Sequence, residues 1–392
     1  MEAEKIRSNG SIEIYGIRNK YKQISTKYSS GPVFPDKLAE ELRANPDLAR
    51  KAPLDENGNI VQSTDKKEKI DGKERRELTV GGQTKISSRL CSERSEDLVT
   101  FTVFESLNIL FANRGENTPL DIQPLLGGQP VRYVDKVRLW FGKGSDVLFW
   151  VPYDKKDRYP DNEEERNKLW KTIEELEKHP RKINMGRGPK VQYTEVDAVH
   201  INKSKKVLTF LDAKLTAKTS PCFSVKEKKC RYVKDIGCDY WKNKFGQTID
   251  KYFKNVAPPD SKDGKRNGVE TFCNKYYQLM RNWIFGNVLV DDEGAFRDWD
   301  FHLIHIGDIN HLQDMIFYTG FKERLMERNK NEQSVRTFAL TTWQNISSAV
   351  CETFCKGQEK DQKALSLLDW LSNHPVTGNI YGQQNSVWNV KL

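Results

Sequence analysis

No apolar stretch of this 392-residue chain approaches the ~20 residues that a bilayer-spanning helix needs. The amino-terminal sequence MEAEKIRSNGSIEIYG lacks the apolar block of a secretory signal. Both absences lead us to expect a soluble, cytoplasmic protein with no membrane partner. Cysteine is sparse, with seven residues and no CxxC pair. An odd count in a long chain points to reduced thiols rather than a disulfide framework. Cys222, Cys230, Cys238 and Cys273 are spaced by 8, 8 and 35. Those intervals leave a structural zinc open but favour buried free thiols. The phosphate-loop patterns GxxxxGKS and GxxxxGKT are missing, so P-loop nucleotide hydrolysis is not indicated. HExxH and HxxxH are missing too, which disfavours zinc hydrolases, and no GxSxG elbow marks a serine hydrolase. His302 and His305 fall on opposite faces of a strand, so they are not expected to share a metal. No internal repeat is visible.

The chain does have enough large apolar side chains for a core. It carries 9 Trp, 14 Tyr and 18 Phe, which rules out wholesale disorder. Its net charge of +9 is concentrated. Residues 201–234 hold ten Lys or Arg against two acids, Asp212 and Glu227, and so carry +8. Such a segment is the electrostatic footprint expected for a polyanion, although a solvated hairpin and loop would look the same. Lys203, Lys205, Lys206, Lys226, Lys228, Lys229 and Arg231 are the candidate nucleic-acid contacts. Tyr232, Tyr240, Trp241 and Phe245 are interleaved with basic residues over 231–251. They read first as an amphipathic helix with Trp in the core and second as a stacking surface. Asn282 and Gln344 could touch base edges or orient groups of a site.

Three regions can be separated. Residues 1–92 form a polar arm or small accessory domain, whose charge run Lys66–Glu77 reads as a solvated loop or helix face. Residues 93–356 form a core, and 357–392 a carboxy-terminal helix with an irregular tail. Within the core, Ser95 is a helix cap with Glu96 and Asp97 in the first turn, where the dipole favours carboxylates. Leu98 to Phe111 is nearly continuous apolar helix. Lys136–Phe141 and Val147–Val151 read as strands, and 161–179 as an exposed helix with Leu169, Trp170, Ile173 and Leu176 inward. Val191–Ile201 and Val207–Leu215 read as a hairpin. Thr271–Val290 reads as a buried helix, Phe301–Ile306 and Phe338–Leu340 as strands, and Thr341–Cys355 as a helix. Helices flanking central strands give an α/β fold class.

The stretch YTEVDAVHINKSKKVLTFLDAKLT, 193–216, carries the chemistry. Alternation puts Glu195 and Asp197 on one face of the first strand, and Asp212 and Lys214 on the face of Leu208 and Phe210. Turning near 203–205 brings Asp197 close to Asp212. Carboxylates within an apolar strand are costly unless compensated. Mg²⁺ compensates them well, with one or two carboxylates, waters and substrate phosphate as ligands. An ion-paired hairpin is the bland alternative.

Asp197 followed by Phe210-Leu211-Asp212-Ala213-Lys214 resembles the PD-(D/E)XK nuclease superfamily, the fold of most type II restriction endonucleases. The chain departs from that motif at Val196, where the family has Pro, and Glu195 rivals Asp197 as a ligand. Looser similarities lie at 95–107, 276–282 and 341–344. The resemblance implies a PD-(D/E)XK core with a central mixed sheet flanked by helices. It implies a Mg²⁺-dependent endonuclease cutting double-stranded DNA, of the type II restriction kind: Asp197 and Asp212 would hold the metal and Lys214 would position the attacking water. Glu96, on the stripe of Val103, Leu107 and Leu110, would be a further acid from the preceding helix, unless it only compensates the dipole. A homodimer and a cognate methyltransferase are the implied partners. Two alternatives stay open: the same chemistry on RNA or on modified or branched DNA, and a non-catalytic nucleic-acid-binding module.

Overall fold

The computed structural model of the chain describes residues 96–112, 118–125, 136–151, 163–177, 181–184, 189–194, 196–214, 249–307, 312–326, 334–355 and 361–373. It also describes residues 222, 230, 232–233 and 238–241, and six strands before residue 87. In chain order the core elements are α1 (Glu96–Ala112), β1 (Thr118–Ile122), β2 (Val137–Phe141), β3 (Ser145–Val151) and α2 (Glu163–Leu176). There follow β4 (Val196–Asn202), β5 (Val207–Ala213), α3 (Tyr277–Val290), β6 (Asp300–Gly307) and α4 (Leu312–Lys322). Last come β7 (Arg336–Thr342), α5 (Trp343–Phe354) and α6 (Gln362–Asn373).

Five strands form one mixed sheet in the order β7-β6-β5-β4-β3. β3, β4 and β5 pair antiparallel, while β5, β6 and β7 pair parallel. Every residue of β5 and β7 is buried, as expected of strands covered on both faces. Ala198, Leu211, Ala213, Ile304, Ile306 and Ala339 face one hydrophobic layer, built with α1, α5 and α6. Val199, Ile201, Leu208, Phe210 and Leu303 face the other, built with α2, α3 and α4. The fold is therefore α/β, a central mixed five-stranded sheet flanked by helices. Gly286 lets α3 lie close to the sheet, since a Cβ there would stand 1.9 Å from the Phe301 ring. Among the described residues no helix is long and apolar enough to cross a membrane.

Several elements differ from the sequence reading. The strand expected over Val191–Ile201 is two strands, because Thr194 gives its backbone N–H and hydroxyl to the buried Glu177 carboxylate instead of a neighbouring strand. The helix expected over Thr271–Val290 breaks at Tyr276, whose backbone leaves the helical region at φ −111° and ψ 25°. β2 joins β1 in a separate two-stranded sheet. No signal marked β1 or α4 beforehand. Apart from residues 71 and 72, which lie outside the described residues, the Lys66–Glu77 charge run is strand rather than loop or helix face: it lies in the paired strands Ser63–Ile70 and Lys73–Val80. Asp71-Gly72 between those strands is a two-residue hairpin signal. Within 231–251, residues 239–241 form a turn, and Tyr240 is buried with its hydroxyl on Glu177.

Candidate active site

β4 and β5 are antiparallel with Ala198 opposite Leu211, which sets Asp197 beside Asp212 at the open end of the hairpin. Strand alternation turns both carboxylates to the α3 face. Lys214 follows directly after β5, its backbone N–H donating to the Ile306 carbonyl at 2.7 Å. Its ammonium stands 3.4 Å from Asp197 Oδ2 and 3.2 Å from Asp212 Oδ1. Asp197 Oδ2 also accepts the Ala213 backbone N–H at 2.9 Å, which fastens the two strand ends together. The structure thus brings Asp197, Asp212 and Lys214 together.

Three further residues, none of them proposed as a site residue from the sequence, complete the surroundings of Asp212. Gln278 of α3 donates to Oδ1 at 2.7 Å. His305 lies opposite Asp212 in the parallel ladder, with Nδ1 2.7 Å from Oδ2. The Tyr318 hydroxyl of α4 stands 2.5 Å from His305 Nε2. The sequence reading weighed His305 only for a metal shared with His302; its inward parity in an apolar strand could have marked it as a site residue. Its partner could not, because the register of a parallel pair is set by distant chain segments. Burial alone would push the Asp212 carboxyl up, but the Lys214 ammonium and His305 outweigh it and hold the group well below the usual carboxylate range. Asp212 is therefore ionised and only accepts hydrogen bonds.

The other described candidates do not join this cluster. The turn Lys203–Lys206 closes the opposite end of the hairpin, about 20 Å from Asp197 for six residues at ~3.3 Å each. Lys203 pairs with the buried Glu165 at 2.6 Å, and the Lys205 ammonium sits 4.8 Å from the Trp140 ring centre. Lys203, Lys205 and Lys206, the candidate nucleic-acid contacts of this turn, are therefore separated from the acids by the length of the strand. Glu96 opens α1, which packs on the far face of the sheet. The Glu96 side chain, Glu195, Lys226, Lys228, Lys229 and Arg231 lie outside the described residues. Asn282 is buried away from solvent and does not touch the acids through any described hydrogen bond; Gln278, one turn earlier, does.

Among the described residues, no group of three or more His, Cys, Asp or Glu is placed to hold a metal. Asp197 and Asp212 instead offer two hard oxygen donors beside one ammonium. That set suits Mg²⁺, which keeps several waters and takes few protein ligands. Cys222, Cys230, Cys238 and Cys273 are free thiols. Burial and the neighbouring thiols push Cys238 well up, and burial raises Cys273. Comparison with protein-family models, curated proteins and solved structures finds no match to this chain.

Proposed function

We propose that the chain is a Mg²⁺-dependent endonuclease of the PD-(D/E)XK type that hydrolyses double-stranded DNA, in the manner of a type II restriction endonuclease. The observation that carries this reading is the Lys214 ammonium, 3.2–3.4 Å from two carboxylates at the open end of a hairpin. A mixed sheet preceded by the helix that begins at Glu96 adds support.

Asp197 and Asp212 would hold the cation. Bound there, Mg²⁺ would activate water and offset charge developing on the phosphodiester. Lys214 would orient the attacking water and donate to the extra negative charge. Gln278 and His305 hold the Asp212 carboxylate in place while this happens. Glu195 is a supplementary acid in this proposal, whereas α1 carries the backbone of Glu96 on the far face of the sheet. The family resemblance implies a homodimer and a cognate methyltransferase, and a cytoplasmic location belongs to the same proposal.

The test is incubation with duplex DNA, RNA, and modified or branched DNA, with Mg²⁺ or EDTA, followed by sequencing of the ends. Mg²⁺-dependent fragments from duplex DNA with one end sequence are expected, and none from the Asp212→Asn variant. Cutting confined to RNA or to modified or branched DNA would move the substrate class. Binding without any cutting would leave a nucleic-acid-binding module.

A further inference from the structure

Asp212 is hydrogen-bonded on both carboxylate oxygens, and the two sides differ. Oδ1 faces the Lys214 ammonium and the Gln278 amide, on the side of Asp197. Oδ2 faces His305, which is 0% exposed. Behind His305 stands Tyr318, 5% exposed, with ring centres 4.5 Å apart. The ionised carboxylate can only accept, so His305 Nδ1 donates to it. Nε2 accepts from the Tyr318 hydroxyl in the neutral ring and donates to it in the charged one. Tyr318, His305 and Asp212 form a hydrogen-bonded chain that runs from α4 through β6 to β5.

We propose that His305, locked by Tyr318, is a positioning residue for Asp212. It engages Oδ2 on the buried side, so that Oδ1 is the oxygen presented to a divalent cation. The proposal rests on the nuclease reading, since it assigns a role toward that cation. Its basis is the ladder: Asp212 and His305 are register partners, so backbone pairing fixes their approach independently of loops. A carboxylate free to rotate would lose this presentation and would spend part of its time with neither oxygen aimed at the site. Outer partners of metal ligands typically affect metal affinity by about 10- to 100-fold.

The experiment measures Mn²⁺ binding to the full chain by electron paramagnetic resonance, without DNA. It is paired with the Mg²⁺ activation constant, kcat and KM for duplex cleavage. His305→Leu removes the donor to Oδ2. His305→Asn keeps a donor near the Nδ1 position, and Tyr318→Phe removes the lock alone. His305→Leu should weaken Mn²⁺ binding about 10- to 100-fold and raise the Mg²⁺ activation constant alike, with KM for DNA unchanged. His305→Asn should restore most of that loss, and Tyr318→Phe should lose about 3- to 10-fold. A loss of folded protein would lower kcat without moving the activation constant. Equal Mn²⁺ affinity in wild type and His305→Leu overturns the positioning role and leaves the nuclease reading standing. Should His305→Leu not fold, unchanged affinity in Tyr318→Phe overturns it equally. A wild-type chain that binds no Mn²⁺ removes both the cation site and this role.

Discussion

His305 and Asp212 face each other across the parallel ladder of β5 and β6, with 2.7 Å between ring nitrogen and carboxylate oxygen. The same carboxylate also receives Lys214 and Gln278. Asp212 is thus at once the centre of a buried polar network and a candidate cation ligand, and its two roles can be separated by substitution. Asp212→Asn keeps the shape and an acceptor, whereas Asp212→Ala leaves several buried donors unpaired. Both should reduce cleavage by at least about 100-fold. Asp212→Ala should also destabilise the fold, by about 3 kcal/mol, because a truncated partner leaves buried charge uncompensated. Urea unfolding should show Asp212→Asn losing less stability than Asp212→Ala. The reverse order would mean that the network does not depend on this carboxylate.

Acid should weaken the fold through the opposite face of the sheet. His200 and His302 are each paired in register with Thr209, and all three point to the α1 layer. Burial pushes both histidines down to about 4. In the unfolded chain they titrate near 6.5. Between those values the unfolded chain binds protons that the folded chain refuses, so stability falls as pH falls through 6.5 toward 4. Each histidine should cost up to about 3 kcal/mol by pH 4. Asp212 adds little above pH 5, because its carboxyl in the unfolded chain takes up protons only near about 4 while the folded group stays ionised. Urea unfolding at pH 7, 6 and 5 should show the decline, and His200→Leu should roughly halve its slope. A flat profile would show that these rings take up protons without leaving the fold.

The hairpin and its acids were legible in the sequence because alternation and a short connection are local properties. Asp197, Asp212 and Lys214 could be placed on one face from spacing alone. What could not be read was whatever depends on segments far apart in the chain. His305 reaches Asp212 from 93 residues away, through a parallel pairing, and Gln278 from 66. Thr194 breaks an apparently continuous strand because its donors go to Glu177, whose burial no local pattern announces. The distance of the basic turn from the acids follows from the same strand geometry: Lys203, Lys205 and Lys206 are near the acids in sequence, but an extended strand carries them to the other end.

Close packing between α3 and β6 gives a stability prediction. Gly286 stands against the Phe301 ring, which is itself held between Phe210 and Trp283 with ring centres at 5.2 and 5.6 Å. A methyl group at 286 has no room, and the ring cannot swing aside. Gly286→Ala should destabilise the protein by about 1–3 kcal/mol despite the better helix propensity of Ala. Thermal unfolding should show a lower midpoint. A higher midpoint would mean that α3 shifts away from the sheet without penalty.

The basic turn gives a prediction about binding. Lys205 and Lys206 lie at the end of the hairpin remote from Asp197, so neutralising them should not remove phosphate contacts made at the acids. The double variant Lys205→Gln with Lys206→Gln should keep the slope of duplex affinity against salt within about 0.9, the value of one phosphate contact. A fall of roughly 2 units would place the duplex along the whole hairpin.

Lys214 is the residue on which binding and catalysis should move in opposite directions. Its ammonium already lies against both carboxylates, at 3.4 Å from Asp197 and 3.2 Å from Asp212. A divalent cation approaching the same two groups meets a like charge there and competes for the same oxygens. Lys214→Met removes that competitor and keeps most of the apolar stem. Mn²⁺ affinity should therefore rise, by about tenfold for each ~1.4 kcal/mol of repulsion removed. Cleavage should fall by at least about 100-fold, since the group that donates to the developing charge is gone. The cation-free variant should be less stable than wild type, because Asp212 stays buried without its ammonium. Saturating Mn²⁺ should raise its melting temperature more than it raises that of the wild type, as tighter binding to the folded state requires. Calorimetry with Mn²⁺ and melting curves with and without the ion measure both effects. Unchanged or weaker Mn²⁺ binding would show that lysine and cation occupy different places, and that the ammonium is not a competitor for the two carboxylates.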